Sequence, residues 1–121
     1  KISTHVPDSL PPVRLNVALF EWVIENLCKN AVDAMGGVGV LVISVQETSR
    51  YWCIDVVDTG KGIDKRYFET VFAPGYTTKK RGWGLGLSLA RRIVVEYHSG
   101  SIFVKQSEIN KGTIFRIELK K

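Results

Sequence analysis

Two asparagines four residues apart, Asn26 and Asn30, stand in a stretch whose apolar residues Phe20, Val23, Ile24, Leu27, Ala31 and Ala34 recur at three- and four-residue intervals. That spacing paints one face of an α-helix. The two amides therefore stack one turn apart on its border, with Asp33 continuing the row. Asn is roughly 0.7 kcal/mol worse than Ala inside a helix, because its amide competes with the backbone for hydrogen bonds. Two readings fit. A polar row beside a core stripe can simply meet water; alternatively, amide oxygens aimed off a rigid helix are hard-cation ligands, suited to Mg²⁺ that already carries phosphate oxygens and water.

Asp58 poses a similar question at the end of a strand. Within Tyr51–Asp58 the residues Trp52, Ile54 and Val56 share a face by the period of two, and Asp58 falls on that face. A carboxylate facing the core is costly unless something donates to it. D-T-G is also ordinary Asx-turn chemistry, and the tripeptide alone fits both. Thr113 repeats the pattern, sharing the parity of Phe115, Ile117 and Leu119 at the rim of an inward-facing row. Finally, G-W-G-L-G-L sets Gly82, Gly84 and Gly86 two apart and leads into a helix. Bare backbone and the free N–H groups of a helix start favour phosphate. The P-loop, the dinucleotide fingerprint and the protein-kinase signatures are all absent.

The elements that must position these residues follow from the same patterns. Lys1 to Val6 alternates as a short edge strand with His5 facing solvent, 7–12 is a loop, and Val13 to Leu15 is a second short strand. Asn16 is placed to cap the helix that carries Trp22 to Met35, and Gly36 and Gly37 end it. Val40–Glu47 and Tyr51–Asp58 form an antiparallel hairpin. Gly60 to Gly84 shows no strong period apart from a helical turn near Arg66 to Val71, a length that marks a lid or binding loop, docked by Phe72, Pro74 and Tyr76. The next helix turns Leu89, Ala90, Ile93, Val94 and Tyr97 inward and Arg91, Arg92 and Glu96 outward, with a structural His98 near its end and Gly100 closing it. Ser101–Gln106 and Thr113–Leu119 make a last hairpin through Asn110, Lys111 and Gly112.

The 121 residues make one domain, 1–121, and 45% hydrophobic content is that of an ordinary soluble globule with no apolar run of membrane-spanning length. Starting at Lys1, the chain reads as a piece of something longer. Cys28 and Cys53 lie in no C-x-x-C and read as reduced, packed thiols of a cytoplasmic protein. Of the net charge of +5, Lys61, Lys65, Arg66, Lys79, Lys80 and Arg81 gather in the glycine-punctuated segment. Its aromatics do not interleave with the charges as a base-stacking surface requires, which excludes nucleic acid in favour of a polyphosphate ligand or an acidic partner.

In chain order the motifs are N-x-x-x-N on a helix, D-T-G-K-G after a strand, F-A-P-G-Y-T-T-K, G-W-G-L-G-L opening a helix, and G-T-I-F. From Asn16 onward this resembles the ATP-binding catalytic domain of sensor histidine kinases, in the superfamily shared with Hsp90 chaperones, type II topoisomerases and mismatch-repair ATPases. The resemblance implies an α+β fold: a two-layer sandwich of the Bergerat type, with a mixed, mostly antiparallel sheet of about five strands on three helices and an ATP lid over about 60–84. It implies ATP and Mg²⁺ as cofactors, with Asn30 as metal ligand and Asn26 beside it near the phosphates. Asp58 would accept from the adenine amino group, with Thr113 near it through water. Gly60 and Gly62 would let the backbone pass the adenosine, followed by Ile63. Phe72 matches the phenylalanine box that anchors the lid. Thr77, Thr78 and Lys79 match the polar run after it, and Gly82, Trp83, Gly84, Leu85, Gly86 and Leu87 match the lid end and phosphate rim.

The chain departs from the family at several places. It has Gly75-Tyr76 where Phe-Phe or Phe-Tyr is usual, Trp83 in place of a small Ser or Thr, and Asp33 where some members carry Lys. Lys29 or Lys79 would supply phosphate charge instead. In the hydrolysing relatives the position of Asn26 holds a Glu that activates water. An amide cannot, and Glu25 sits about 100° round the helix. Asn26, Asn30 and Lys79 are accordingly the catalytic candidates for transfer of the γ-phosphoryl to a histidine on a separate dimerisation and phosphoacceptor domain of a homodimeric parent. A response regulator would be served indirectly, and this domain would not insert into a membrane. The competing readings are an ATP-gated ATPase of the chaperone or topoisomerase type and a nucleotide-binding module without transfer activity.

Overall fold

The computed structural model describes residues 2–5, 16–76 and 86–121. Their order is β1 (Ile2–His5), α1 (Val17–Ala34), β2 (Leu41–Glu47), β3 (Tyr51–Asp58), 3₁₀ turns at Lys65–Tyr67 and Thr70–Phe72, α2 (Gly86–Arg92) running into a π turn (Ile93–Tyr97), β4 (Ser101–Glu108) and β5 (Gly112–Lys120). The strands form one sheet in the order β1-β2-β3-β5-β4. Among the described residues β1 and β2 pair in parallel and the other three pairings are antiparallel. The two helices pack on one face, and the expected third helix is represented by the two 3₁₀ turns.

Helix α1 is capped as expected, the Asn16 side chain accepting from the Leu19 N–H at 3.2 Å, a contact of the kind worth about 1 kcal/mol. Its buried stripe is Phe20, Val23, Leu27 and Ala31. This stripe meets Trp52 and Val56 of β3, Phe115, Ile117 and Leu119 of β5, Ala90 of α2 and Val94 of the π turn in one core. Truncating Leu27 there would cost about 2–5 kcal/mol. On the other sheet face the alternation is broken by charge: Asp55 is buried, bound bidentately by Arg116 at 2.7 and 2.9 Å across the β3–β5 register, with Lys105 3.9 Å away.

Three expectations are corrected. Along α2 and the π turn that follows it, Ala90 and Val94 are fully buried, but Leu89 and Tyr97 are 40% and 65% exposed rather than inward. Leu89 lies about 100° round from Ala90, outside the stripe. The π turn adds a residue to the helix's final turn, which rotates Tyr97 out and His98 in. His98 packs edge-on against Phe20, its Nε2 accepts from the Asn16 N–H at 3.0 Å, and its Nδ1 faces the Ile93 carbonyl at 3.1 Å. It thus bridges both helices, a structural role as its position suggested. Arg91, expected outside, is half-buried with its guanidinium 4.1 Å over the Phe72 ring. The last hairpin is also longer than its apolar pattern suggested, β4 reaching Glu108 past an irregularity between Val104 and Gln106.

Candidate nucleotide-binding site

Asn26 and Asn30 are half-buried on α1, and Asn30 Nδ2 approaches Asn26 Oδ1 at 3.5 Å. The first residue of α2 faces them. A Cβ on Gly86 would lie 2.5 Å from Asn26 Oδ1, so the bare backbone of Gly86 leaves the recess in which this amide sits. Leu87 packs against the core beside it. Asp33 is exposed, one turn beyond Asn30, and Glu25 and Lys29 line an open groove along α1 with Asn26.

Across the sheet, β3 ends on Asp58 and β5 places Thr113 directly opposite; both are 4% exposed. The two readings of the D-T-G tripeptide are met by one side chain. Asp58 Oδ1 accepts from the Gly60 N–H at 2.8 Å, an Asx turn, while the carboxylate is buried at the rim of the core. Burial pushes its pKa up, opposed by the backbone N–H groups of Gly60 and Thr113. Two amides use two of a carboxylate's roughly four acceptor positions, which leaves capacity for a ligand donor.

The segment after Asp58 is stitched to both sides. The Lys61 N–H donates to the Ala34 carbonyl at 3.0 Å, and the Lys61 carbonyl accepts from the Asn110 N–H at 2.8 Å. A Cβ on Gly60 would sit 2.7 Å from the Ala34 carbonyl, and one on Gly62, where φ is +77°, would overlap the Glu108 carbonyl. In this structure the two glycines allow close approach to α1 and to the β4–β5 turn. Ile63 packs on the core and donates its N–H to Ser107 Oγ at 2.7 Å. Ser107 Oγ also lies 2.7 Å from Thr113 Oγ1 and donates to the Gly112 carbonyl at 3.0 Å. The sequence reading ended β4 at Gln106 and so missed Ser107; a regular extension of the Ser101–Glu118 register would have set Gln106 opposite Thr113, and the irregularity between Val104 and Gln106 brings Ser107 there instead.

Phe72 is buried against Phe115, ring edge to face at 6.0 Å, under the Arg91 guanidinium. Arg91 also pairs with Glu69 and donates to the Ile102 carbonyl at 3.3 Å. At 4% exposure Phe72 anchors the segment at the site's rim rather than facing a ligand. Thr77, Thr78, Lys79, Gly82, Trp83, Gly84 and Leu85 lie outside the described residues.

An amide pair on one helix, a buried carboxylate–threonine pair on the facing strands and a glycine opening the second helix make up the site. Residues 16–121 match the family described as "Histidine kinase-, DNA gyrase B-, and HSP90-like ATPase". The chain belongs to that family. Within it, the chain is similar to the sensor histidine kinase ZraS of Escherichia coli strain K12, 38% identical over 112 residues, covering 93% of this chain and 24% of ZraS. It is also 40% identical over 97 residues to sporulation kinase D of Bacillus subtilis, covering 80% of this chain and 19% of that kinase. The chain thus spans about a quarter or less of the length of these relatives. The structure is similar to the catalytic domain of the histidine kinase ThkA, with a TM-score of 0.86 at 29% identity, covering 99% of this chain and 79% of that one. This ATPase-family domain is therefore of the catalytic, ATP-binding type found in sensor histidine kinases of two-component systems. No helix among its described residues is long and apolar enough to cross a membrane.

Proposed function

We propose that this domain binds Mg²⁺–ATP and donates the γ-phosphoryl group to a histidine on a separate dimerisation and phosphoacceptor domain of the same, homodimeric protein. The observation that carries this reading is the amide at position 26, set in the Gly86 recess beside Asn30. Asn26 cannot take a proton from water, and Glu25 is exposed and about 100° round the helix. The residues that hold the triphosphate thus leave its γ-phosphorus for a positioned imidazole nitrogen, whose attack breaks the bond to ADP.

Asp58 accepts from the adenine amino group, and Thr113 serves the same base through water. The oxygen-donor amides of Asn26 and Asn30 fit a hard cation, and the Gly86 recess keeps space that a Cβ would fill. Asn30 would hold Mg²⁺, with Asn26 beside it. The chemistry Mg²⁺ would supply there is neutralisation of the phosphate charge. Lys79 or Lys29 would supply further positive charge; by the family resemblance Thr77 and Thr78 belong to the polar run after the phenylalanine box, and Gly82, Gly84 and Gly86 to the lid end and phosphate rim. ThkA is described in complex with the response regulator protein TrrA. By that likeness, a response regulator takes the phosphoryl group downstream, and the domain works on the cytoplasmic side of its parent.

The test is the fate of label from γ-labelled ATP and Mg²⁺, with and without the parent's dimerisation segment. Acid-labile label on that segment with little free phosphate is expected. Free phosphate released by this chain alone would replace the proposal with the ATP-gated machine of the chaperone or topoisomerase type.

A further inference from the structure

We infer that Ser107 is a positioning residue for base recognition: it commits the Thr113 hydroxyl as an acceptor toward the pocket and so sets a preference for a 6-amino over a 6-oxo purine. The inference rests on the assignment of Asp58 and Thr113 to the adenine contact and adds to it a side chain on a different strand. Ser107 and Thr113 are cross-strand partners in the β4–β5 ladder. Around Ser107 Oγ stand the Ile63 N–H at 2.7 Å, the Gly112 carbonyl at 3.0 Å and Thr113 Oγ1 at 2.7 Å.

A serine hydroxyl has one proton and two lone pairs. The Gly112 carbonyl can only accept, so it takes the Ser107 proton. The Ile63 N–H can only donate, so it takes one lone pair. The remaining lone pair receives the Thr113 O–H. The Thr113 proton is then committed to Ser107, and Thr113 Oγ1 offers only lone pairs to anything else. Opposite it in the β3–β5 register stands Asp58, also an acceptor. Two adjacent acceptors, met directly or through one water that gives a proton to each, complement an exocyclic amine with its two N–H groups and repel a carbonyl oxygen at the same position. The Ile63 N–H ties the 60–63 segment to the same hydroxyl, so Ser107 sets both the polarity of Thr113 and the position of the backbone beside it.

The experiment is calorimetry of the full 121-residue chain with Mg²⁺ and either ATP or inosine triphosphate. The quantity read is the ratio of the two dissociation constants, which does not depend on how much of a variant is folded. The unsubstituted chain should prefer ATP, and Ser107→Ala should shrink that preference about five- to tenfold. Ser107→Thr, which keeps the hydroxyl, should retain it. In a Thr113→Val background, Ser107→Ala should have no further effect on the ratio, since it acts through that hydroxyl. An unchanged ratio in Ser107→Ala, where Asp58→Ala lowers it, overturns the inference and leaves the adenine site standing. Equal loss of both nucleotides, with the ratio kept, shows a purely structural serine and overturns it too. If the unsubstituted chain shows no preference for ATP, the adenine assignment falls and the inference with it.

Discussion

Two glycine-to-alanine changes separate a glycine that serves the site from one that serves the fold. At Gly86 the added Cβ would meet Asn26 Oδ1 at 2.5 Å, the far end of a side chain that can swing away. The backbone there is helical, and Ala is up to about 1 kcal/mol better than Gly inside a helix. Gly86→Ala should therefore change stability by no more than about 1 kcal/mol, while its methyl group evicts the Asn26 amide from its recess. Losing an aligned polar contact to a charged ligand costs about 1.5–3 kcal/mol, so Mg²⁺–ATP binding should weaken roughly ten- to a hundredfold. At Gly112 the situation is reversed. Its φ is +132°, and a Cβ would overlap the Asp58 carbonyl, which is backbone within the central strand pair. Relief requires β3 and β5 to part or the turn to rebuild. Gly112→Ala should cost about 2–4 kcal/mol. Urea denaturation of both variants, with calorimetric titration of Mg²⁺–ATP at a temperature where both are folded, makes the comparison. A Gly86→Ala chain that binds Mg²⁺–ATP like the parent, or that loses as much stability as Gly112→Ala, would refute the reasoning.

Further expectations concern single side chains. Asp58→Ala should weaken ATP by about 1.5–3 kcal/mol, and unchanged affinity by calorimetry would remove Asp58 from the base contact. Burial raises the Asp58 pKa in the folded state, so between the ordinary carboxylate value and that raised value the native chain binds more protons than the unfolded one. Its contribution to stability is therefore present at low pH and is lost as pH rises through this window. Asp58→Asn should flatten that part of the stability–pH curve, and an unaltered curve from denaturation at a series of pH values would count against the burial argument. Asn30→Ala should abolish the Mg²⁺ dependence of nucleotide binding; titrations with and without a chelator decide, and surviving dependence would place the metal elsewhere. Arg91→Ala should cost about 1 kcal/mol, mostly through the stacking on Phe72, because the pair with exposed Glu69 is screened by solvent. A urea midpoint that moves no further in Arg91→Ala than in Glu69→Ala would contradict this.

The parts of the fold that follow a simple period were legible in the chain. The α1 stripe, the Asn16 cap and the inward row of Thr113, Phe115, Ile117 and Leu119 all stand where spacing put them. Asp58 and Thr113 were found because each is a polar residue on an apolar parity. What escaped has no local signature. The π turn adds a residue without changing composition, so Tyr97 and His98 exchanged faces unseen. Ser107 gains its partners from three separate places in the chain, and a polar residue near a turn looks ordinary until they are assembled. Asp55 drew no notice in the sequence, because its partner Arg116 lies 61 residues away. Gly60 and Gly62 stood out as glycines, but only the folded chain shows that the Ala34 and Glu108 carbonyls need them.

The Asp55–Arg116 pair bears on the site although it sits on the sheet's other face. Hydrophobic alternation forbids β3 and β5 from sliding by one residue, since that would turn every side chain over. It does not forbid sliding by two. In the native register Asp55 meets Arg116 and Asp58 meets Thr113. A slip of two residues keeps the parity but sets Asp55 against Glu118 or Ile114 and Asp58 against Phe115 or Lys111. The first option brings like charges together, and the second strands a buried carboxylate beside an apolar neighbour; both are strongly disfavoured. The ion pair thus works as an alignment key, choosing among pairings that the core alone cannot tell apart, and keeping a carboxylate and a hydroxyl side by side three residues further along.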